Sequence, residues 1–176
     1  MKKTVFTFSV LSLLALSVAM QSCKNDNNPT PATPTVNEFI ADNTTFKGFE
    51  SWYLHITKNG ADPSGLGNAH GGADNTSERK IYFTSNSVNR VNGQFPVGTI
   101  ISKRTTGANG LDMITAMAKR GNDFDASGNN WEYFVLAADG TIMMDNGTAM
   151  RGSNLMNGAC KSCHAKASTN DYVFTK

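Results

Sequence analysis

Beyond its first two dozen residues this chain has no surplus of either charge, no long apolar run and no internal repeat. Lysine and arginine total 16 and aspartate and glutamate 14; setting aside Lys2 and Lys3 leaves 14 of each, a formally neutral remainder. A neutral chain without a basic patch excludes nucleic acid as a partner. Proline is sparse, and three of the five prolines (Pro29, Pro31, Pro34) crowd into "KNDNNPTPATPTVN". Cysteine and histidine are scarcer still, three of each, and the twelve residues after His164 contain no methionine.

The N-terminal apolar stretch is short. Lys2 and Lys3 precede "TVFTFSVLSLLALSVAM", which breaks off at Gln21-Ser22 before Cys23, the pattern of a bacterial secretory signal rather than of a lasting membrane span. Ser22 ahead of Cys23 suggests a lipoprotein signal over residues 1–22, with Cys23 acylated as the first mature residue. Residues 23–37 then read as an extended tether. The expected location is the periplasm or the outer membrane, held by the lipid anchor only. From Cys23 onward 154 residues remain, enough for one domain with a real core, placed at 38–176.

Phe46, Phe49, Trp52, Tyr53 and Ile56 recur at spacings of three and four, which predicts an amphipathic helix over "FKGFESWYLHI". A polar, glycine-rich loop follows, of a length that is uncommon unless it serves a site. Then come β-like runs, "RKIYFTS", "TIISKRT", "DMITAMAKR", "WEYFVLA" and "TIMM", with Asp139-Gly140 as a hairpin signal between the last two. "SNLMNGACKSCHAKAS" predicts a C-terminal helix. The fold class expected is α+β: a mainly antiparallel β-sheet with an N-terminal amphipathic helix and a C-terminal helix that carries the cysteines.

Those cysteines form the one strong motif. Cys160, Cys163 and His164 make C-x-x-C-H, the attachment signal for one covalent c-type haem: the two thiols add to the porphyrin vinyl groups and the histidine ligates iron from the proximal side. A shuffled chain of this composition contains the motif in roughly six cases per ten thousand, so chance is a poor explanation. Two other chemistries stand beside it. A Cys160–Cys163 disulfide or redox pair is one, although no βαβ pattern surrounds it. A zinc site adding His55 or His70 is the other, although adjacent Cys163-His164 is awkward for tetrahedral ligation.

Without a methionine downstream of His164, the second axial position of an iron here is either open or filled from upstream. Met113, Met117, Met143, Met144, Met150 and Met156 are available, though methionine most often fills gaps in cores. A six-coordinate electron-transfer cytochrome c is therefore one alternative function. The helical-bundle cytochromes c′ share a late motif, but the β-rich middle of this chain does not suit a four-helix bundle.

"FPVGTIISK", "AMAKRGNDFD", "NWEYFVL", "CKSCHAKA" and "DYVF", in that order between about Phe46 and Phe174, resemble the cytochrome P-460 family, which includes the β-type cytochromes c′. In its hydroxylamine-oxidising members a lysine on the strand after the F-P-x-G-T turn is bonded to the porphyrin, and the matching residue here is Lys103. The resemblance also implies a carboxylate that accepts protons over the distal face. That position falls near Thr115, which cannot act as a base at neutral pH, and the nearest carboxylates in sequence are Asp112 and Glu132. The β-type cytochromes c′ instead cap an open iron with aromatic side chains, for which Phe46, Phe49, Phe83 and Phe95 are candidates. His70, in "NAHGG", resembles a recurring H-G element with a structural hydrogen bond.

These readings converge on an exported monohaem protein that binds or oxidises a small nitrogen compound, hydroxylamine or nitric oxide, at an open haem face. Gas binding without turnover is the near rival to hydroxylamine oxidation. The other expected partners are a redox-partner cytochrome and a second copy of the chain in a homodimer.

Overall fold

A computed structural model of the chain describes residues 38–62, 66, 69–86 and 88–174. The expected signal peptide, Cys23 and the whole of the expected tether lie outside the described residues, as does the boundary beside it. The expected antiparallel architecture is present. β1 (Tyr53–Asn59), β2 (Glu78–Phe83), β3 (Ile100–Thr106), β4 (Asp112–Lys119) and β5 (Trp131–Leu136) follow one another as a meander, and β8 (Arg151–Gly152) adds a short far edge. β6 (Met144–Asp145) and β7 (Thr148–Ala149) form a separate small hairpin, and α1 (Ala159–His164) carries the haem motif.

Side chains alternate across the sheet, and register decides which share a face. Ile81, Lys103, Thr115 and Val135 stand in one row across β2 to β5. The opposite face carries Tyr82, Ile100, Ile114, Ala116, Phe134 and Leu136, which pack with Phe46, Phe49 and Ile142 into the main core. The Phe46 and Phe134 rings lie 4.9 Å apart at its centre. Burying an aromatic side chain of this kind contributes roughly 2 kcal/mol. A second cluster, Phe83, Phe95, Met117, Trp131 and Val173, fills one end of the other face and leaves the rest of it to the site.

The amphipathic helix expected over Phe46–Ile56 is not formed. Asp42 through Trp52 instead make successive i to i−3 hydrogen bonds, including Phe49 N–H to Phe46 C=O at 3.2 Å and Trp52 N–H to Phe49 C=O at 2.9 Å. Only Phe49–Ser51 is a short 3-10 turn. Gly48 sits in the left-handed region (φ 67°), which ends any α-helical run, and from Tyr53 the aromatic and β-branched residues continue as edge strand β1. A period of three still buries Phe46 and Phe49 on one side. His55 consequently stands exposed on β1, its ring 5.0 Å from Phe83.

The expected reversal at Asp139-Gly140 is present. Ala137 N–H bonds to Thr141 C=O at 2.9 Å, and Leu136 faces Ile142 in an antiparallel bridge. The "TIMM" run supplies only the Ile142 bridge and the start of β6, and beyond it Asn146 and Gly147, with φ of 48° and 81°, turn the chain between β6 and β7.

Candidate haem site

Cys160, Cys163 and His164 occupy positions i, i+3 and i+4 of α1, so one turn of helix presents both sulfurs and the imidazole together. α1 begins after Gly158 in the left-handed conformation (φ 79°), and it lies over the sheet face that holds the Ile81–Lys103–Thr115–Val135 row. Between helix and sheet is a cavity of about 890 Å³, lined by all three motif residues. That volume stands toward the upper end of small-molecule pockets, roughly 300–1,000 Å³. Its walls are mainly apolar, with Ile81, Ile101, Met117, Val135 and Phe174 among them.

His164 is oriented before any metal arrives. Its Nδ1 lies 2.7 Å from the Tyr172 carbonyl oxygen, and its ring packs against Tyr133 and Phe174 at 5.1 and 5.5 Å. A carbonyl can only accept, so Nδ1 carries the proton and Nε2 keeps its lone pair for a metal. Burial holds the His164 pKa down to about 4, with the Lys103 charge in the same direction and the Tyr172 hydrogen bond against it. Cys160 and Cys163 are unpaired thiols, and burial pushes the Cys160 pKa up.

The donor set fits a haem. Two thiols and a neutral imidazole stand on one helical turn beside an apolar slot, and the imidazole's outer N–H is already satisfied. Among the described residues no group of three or more His, Cys, Asp or Glu side chains is arranged to hold a metal ion by itself. His55 is outside the cavity, so the zinc arrangement through it does not assemble.

The structure brings Lys103 and Thr115 together. They are paired directly across β3 and β4, and both line the cavity. The Lys103 ammonium makes no hydrogen bond or ion pair to another described residue, and burial lowers its pKa to about 8, with Asp62 opposing and Arg79 adding to the shift. Asp112 and Glu132 are elsewhere. Asp112 is exposed and bonded to Arg104 at 2.7 Å. Glu132 is buried on the opposite face between Arg120 and Arg151, each at 2.7 Å. None of Phe46, Phe49, Phe83 and Phe95 lines the cavity; Phe46 and Phe49 belong to the main core, and Phe83 and Phe95 to the second cluster. Met113, Met117, Met150 and Met156 line it, whereas Met143 and Met144 stand exposed outside.

Two cavity groups, Asp62 and Arg79, escaped the sequence reading. Asp62, from the glycine-rich loop, pairs with Arg79 of β2 at 3.2 Å, and Arg79 Nη1 donates to Ser77 Oγ at 2.7 Å. Arg79 Nε is buried without a partner among the described residues. His70 reaches the cavity with φ 53°, and its buried Nδ1 lacks the structural hydrogen bond that the H-G resemblance implies. Burial, followed by the Lys103 charge, holds the His70 pKa down to about 3. The loop's unusual length was the only sequence signal for Asp62.

An antiparallel sheet with a C-x-x-C-H helix over an apolar face defines a class of protein, the c-type cytochromes, and the group that fits is haem. The chain belongs to the cytochrome P460 family, whose family model matches residues 46–175. Comparisons with curated proteins and with solved structures give no match.

Proposed function

We propose that this c-type cytochrome is exported and lipid-anchored at Cys23, carries a single haem and binds a small nitrogen compound, such as nitric oxide or hydroxylamine, at the open haem face. Cys160 and Cys163 hold the haem by adding S–H across its two vinyl groups, and His164 binds its iron through Nε2. When bound, haem supplies an iron centre that takes a diatomic or amine ligand and exchanges single electrons. The apolar wall around Ile101 and Val135 excludes water from that centre.

Binding without rapid turnover is favoured by one observation above the others: the residue facing Lys103 across the strands is Thr115, a hydroxyl that accepts no proton at neutral pH. Asp62 lines the cavity but is tied to Arg79. Hydroxylamine oxidation is a second reading, and the absence of a hydrogen-bonding or ionic partner for Lys103 among the described residues supports it. Joining the neutral Lys103 amine to a porphyrin carbon would release two protons and two electrons, so that bond would need a two-electron oxidant, such as a peroxide, during maturation.

Holoprotein made with haem-attachment machinery tests both readings. Intact mass should give one haem, plus acyl chains at Cys23, and His164→Ala should lose the proximal ligation signature. A five-coordinate haem c spectrum with a free Lys103 peptide supports binding alone. Haem joined to two peptides, one bearing Cys160 and Cys163 and the other Lys103, with a strongly shifted ferrous spectrum, supports the oxidase. A six-coordinate spectrum with a native sulfur or second imidazole ligand sinks both in favour of electron transfer.

A further inference from the structure

The segment that orients His164 lies outside any helix or strand. Asp171 and Tyr172 both adopt left-handed backbone, φ 53° and 62°, directly after the 3-10 turns of Ala165–Asn170. For a tyrosine this is a rare conformation that persists only where the surroundings impose it. At this point the chain presents the Tyr172 carbonyl to His164 Nδ1 at 2.7 Å.

The surroundings that impose it converge on one buried carboxylate. Lys119, at the end of β4, donates to Asp171 Oδ1 and Oδ2 at 2.9 and 3.1 Å. The Phe95 amide donates to Oδ2 at 2.6 Å, and the Asn129 side-chain amide to Oδ1. Trp131 of β5 donates its indole N–H to the Asp171 backbone carbonyl at 2.8 Å. Lys119 also reaches the Asn129 carbonyl at 2.7 Å, so the ammonium is held from two sides. Both charged side chains are buried, Lys119 at 5% exposure and Asp171 at 1%. Donors from β4, β5 and two loops thus meet on the residue immediately before the one that bonds to the imidazole.

We propose that Asp171 is a positioning residue for the proximal ligand: the Lys119–Asp171 lock fixes the carbonyl of Tyr172 on His164 Nδ1, and through it sets how strongly Nε2 donates to iron. This rests on the reading that His164 is the proximal ligand. A well-made Nδ1–H hydrogen bond makes the imidazole more anionic and a stronger donor, which favours ferric over ferrous iron. Loosening the lock should weaken that bond and favour the ferrous form.

The test uses full-length holoprotein. Asp171→Asn alone leaves the Lys119 charge buried without its counterion, so Lys119→Met/Asp171→Asn is the informative variant: it preserves net charge, and asparagine tolerates the left-handed backbone. Asn129→Gly removes one donor and keeps the left-handed geometry of that residue, providing a milder step should the double variant fail to accumulate. The readouts are the ferrous iron–histidine stretch by resonance Raman and the midpoint potential. Expected in the double variant are a lower stretching frequency and a tenfold shift toward ferrous haem at fixed potential, equivalent to 59 mV for a one-electron couple; Asn129→Gly should move both in the same direction by less. An unchanged frequency and potential in whichever variant accumulates overturns the proposal and leaves Asp171 a purely structural residue. A wild type that lacks the iron–histidine band fails the parent reading and overturns this proposal with it.

Discussion

At the scale of single residues, the Lys103–Thr115 pair carries most of the functional information. The two side chains share a cross-strand position, where direct neighbours lie about 5 Å apart. Thr115→Glu would place a carboxylate on the cavity wall where proton acceptance is required. With Lys103 bonded to the porphyrin, that carboxylate is free to act as a base, and hydroxylamine turnover with an artificial acceptor should rise about a hundredfold. With Lys103 free, the new carboxylate pairs with the ammonium and turnover should stay low. Vigorous turnover by the unaltered protein would contradict both outcomes and move the distal base elsewhere, with Asp62 the first place to look.

At the scale of elements, the Asp139-Gly140 turn does more than reverse the chain. A Cβ on Gly140 would lie 2.7 Å from the Phe46 carbonyl oxygen and 3.1 Å from Lys47 Cα, at φ +81°. Gly147 has the same φ and nothing within 4 Å. Gly140→Ala should therefore cost about 2–4 kcal/mol in urea unfolding, through clash and backbone strain together, and Gly147→Ala about 1 kcal/mol, through strain alone. Equal losses would mean that the turn does not press on the segment from Asp42 to Trp52.

The four central strands were legible because "RKIYFTS", "TIISKRT", "DMITAMAKR" and "WEYFVLA" are short runs rich in β-branched and aromatic residues, bounded by turn signals. The run from Phe46 to Ile56 was not, because apolar residues three apart serve successive 3-10 turns as well as an α-helix, and only the conformation of Gly48 separates them. In the site, the motif residues were legible because their spacing is local, and Lys103 and Thr115 only through the resemblance to the cytochrome P-460 family. Asp62, Arg79 and Asp171 were not. Each gains its meaning from a partner that the sheet brings close, such as Lys119 for Asp171, and no periodicity records such pairings.

For the molecule as a whole, acid is the condition that should separate folded from unfolded most clearly. His70 is held neutral, at a pKa of about 3 against about 6.5 for a free imidazole. Between those values the unfolded chain binds a proton that the folded one refuses. The His70 contribution to stability is thus intact above pH 6.5 and falls as pH drops through that window. The ring is only partly buried, so the loss between pH 7 and pH 4 should be about 2 kcal/mol, less than the full shift implies. Urea unfolding of wild type and His70→Gln at both pH values measures it, and equal acid losses in the two proteins would rule His70 out as the cause.

The two faces of the sheet differ in what completes them. One is closed by the chain itself, through Phe46, Phe49 and Ile142, whereas the other is roofed by α1, a helix of six residues that buries no side chain fully. So short a helix has little stability of its own. On the reading proposed here, haem is the solid between roof and wall, tied to one and pressed against the other. Loading then doubles as proofreading: a chain that has missed its cofactor shows apolar strand surface and a loose C-terminal turn to any protease it meets, and only the finished cytochrome conceals both.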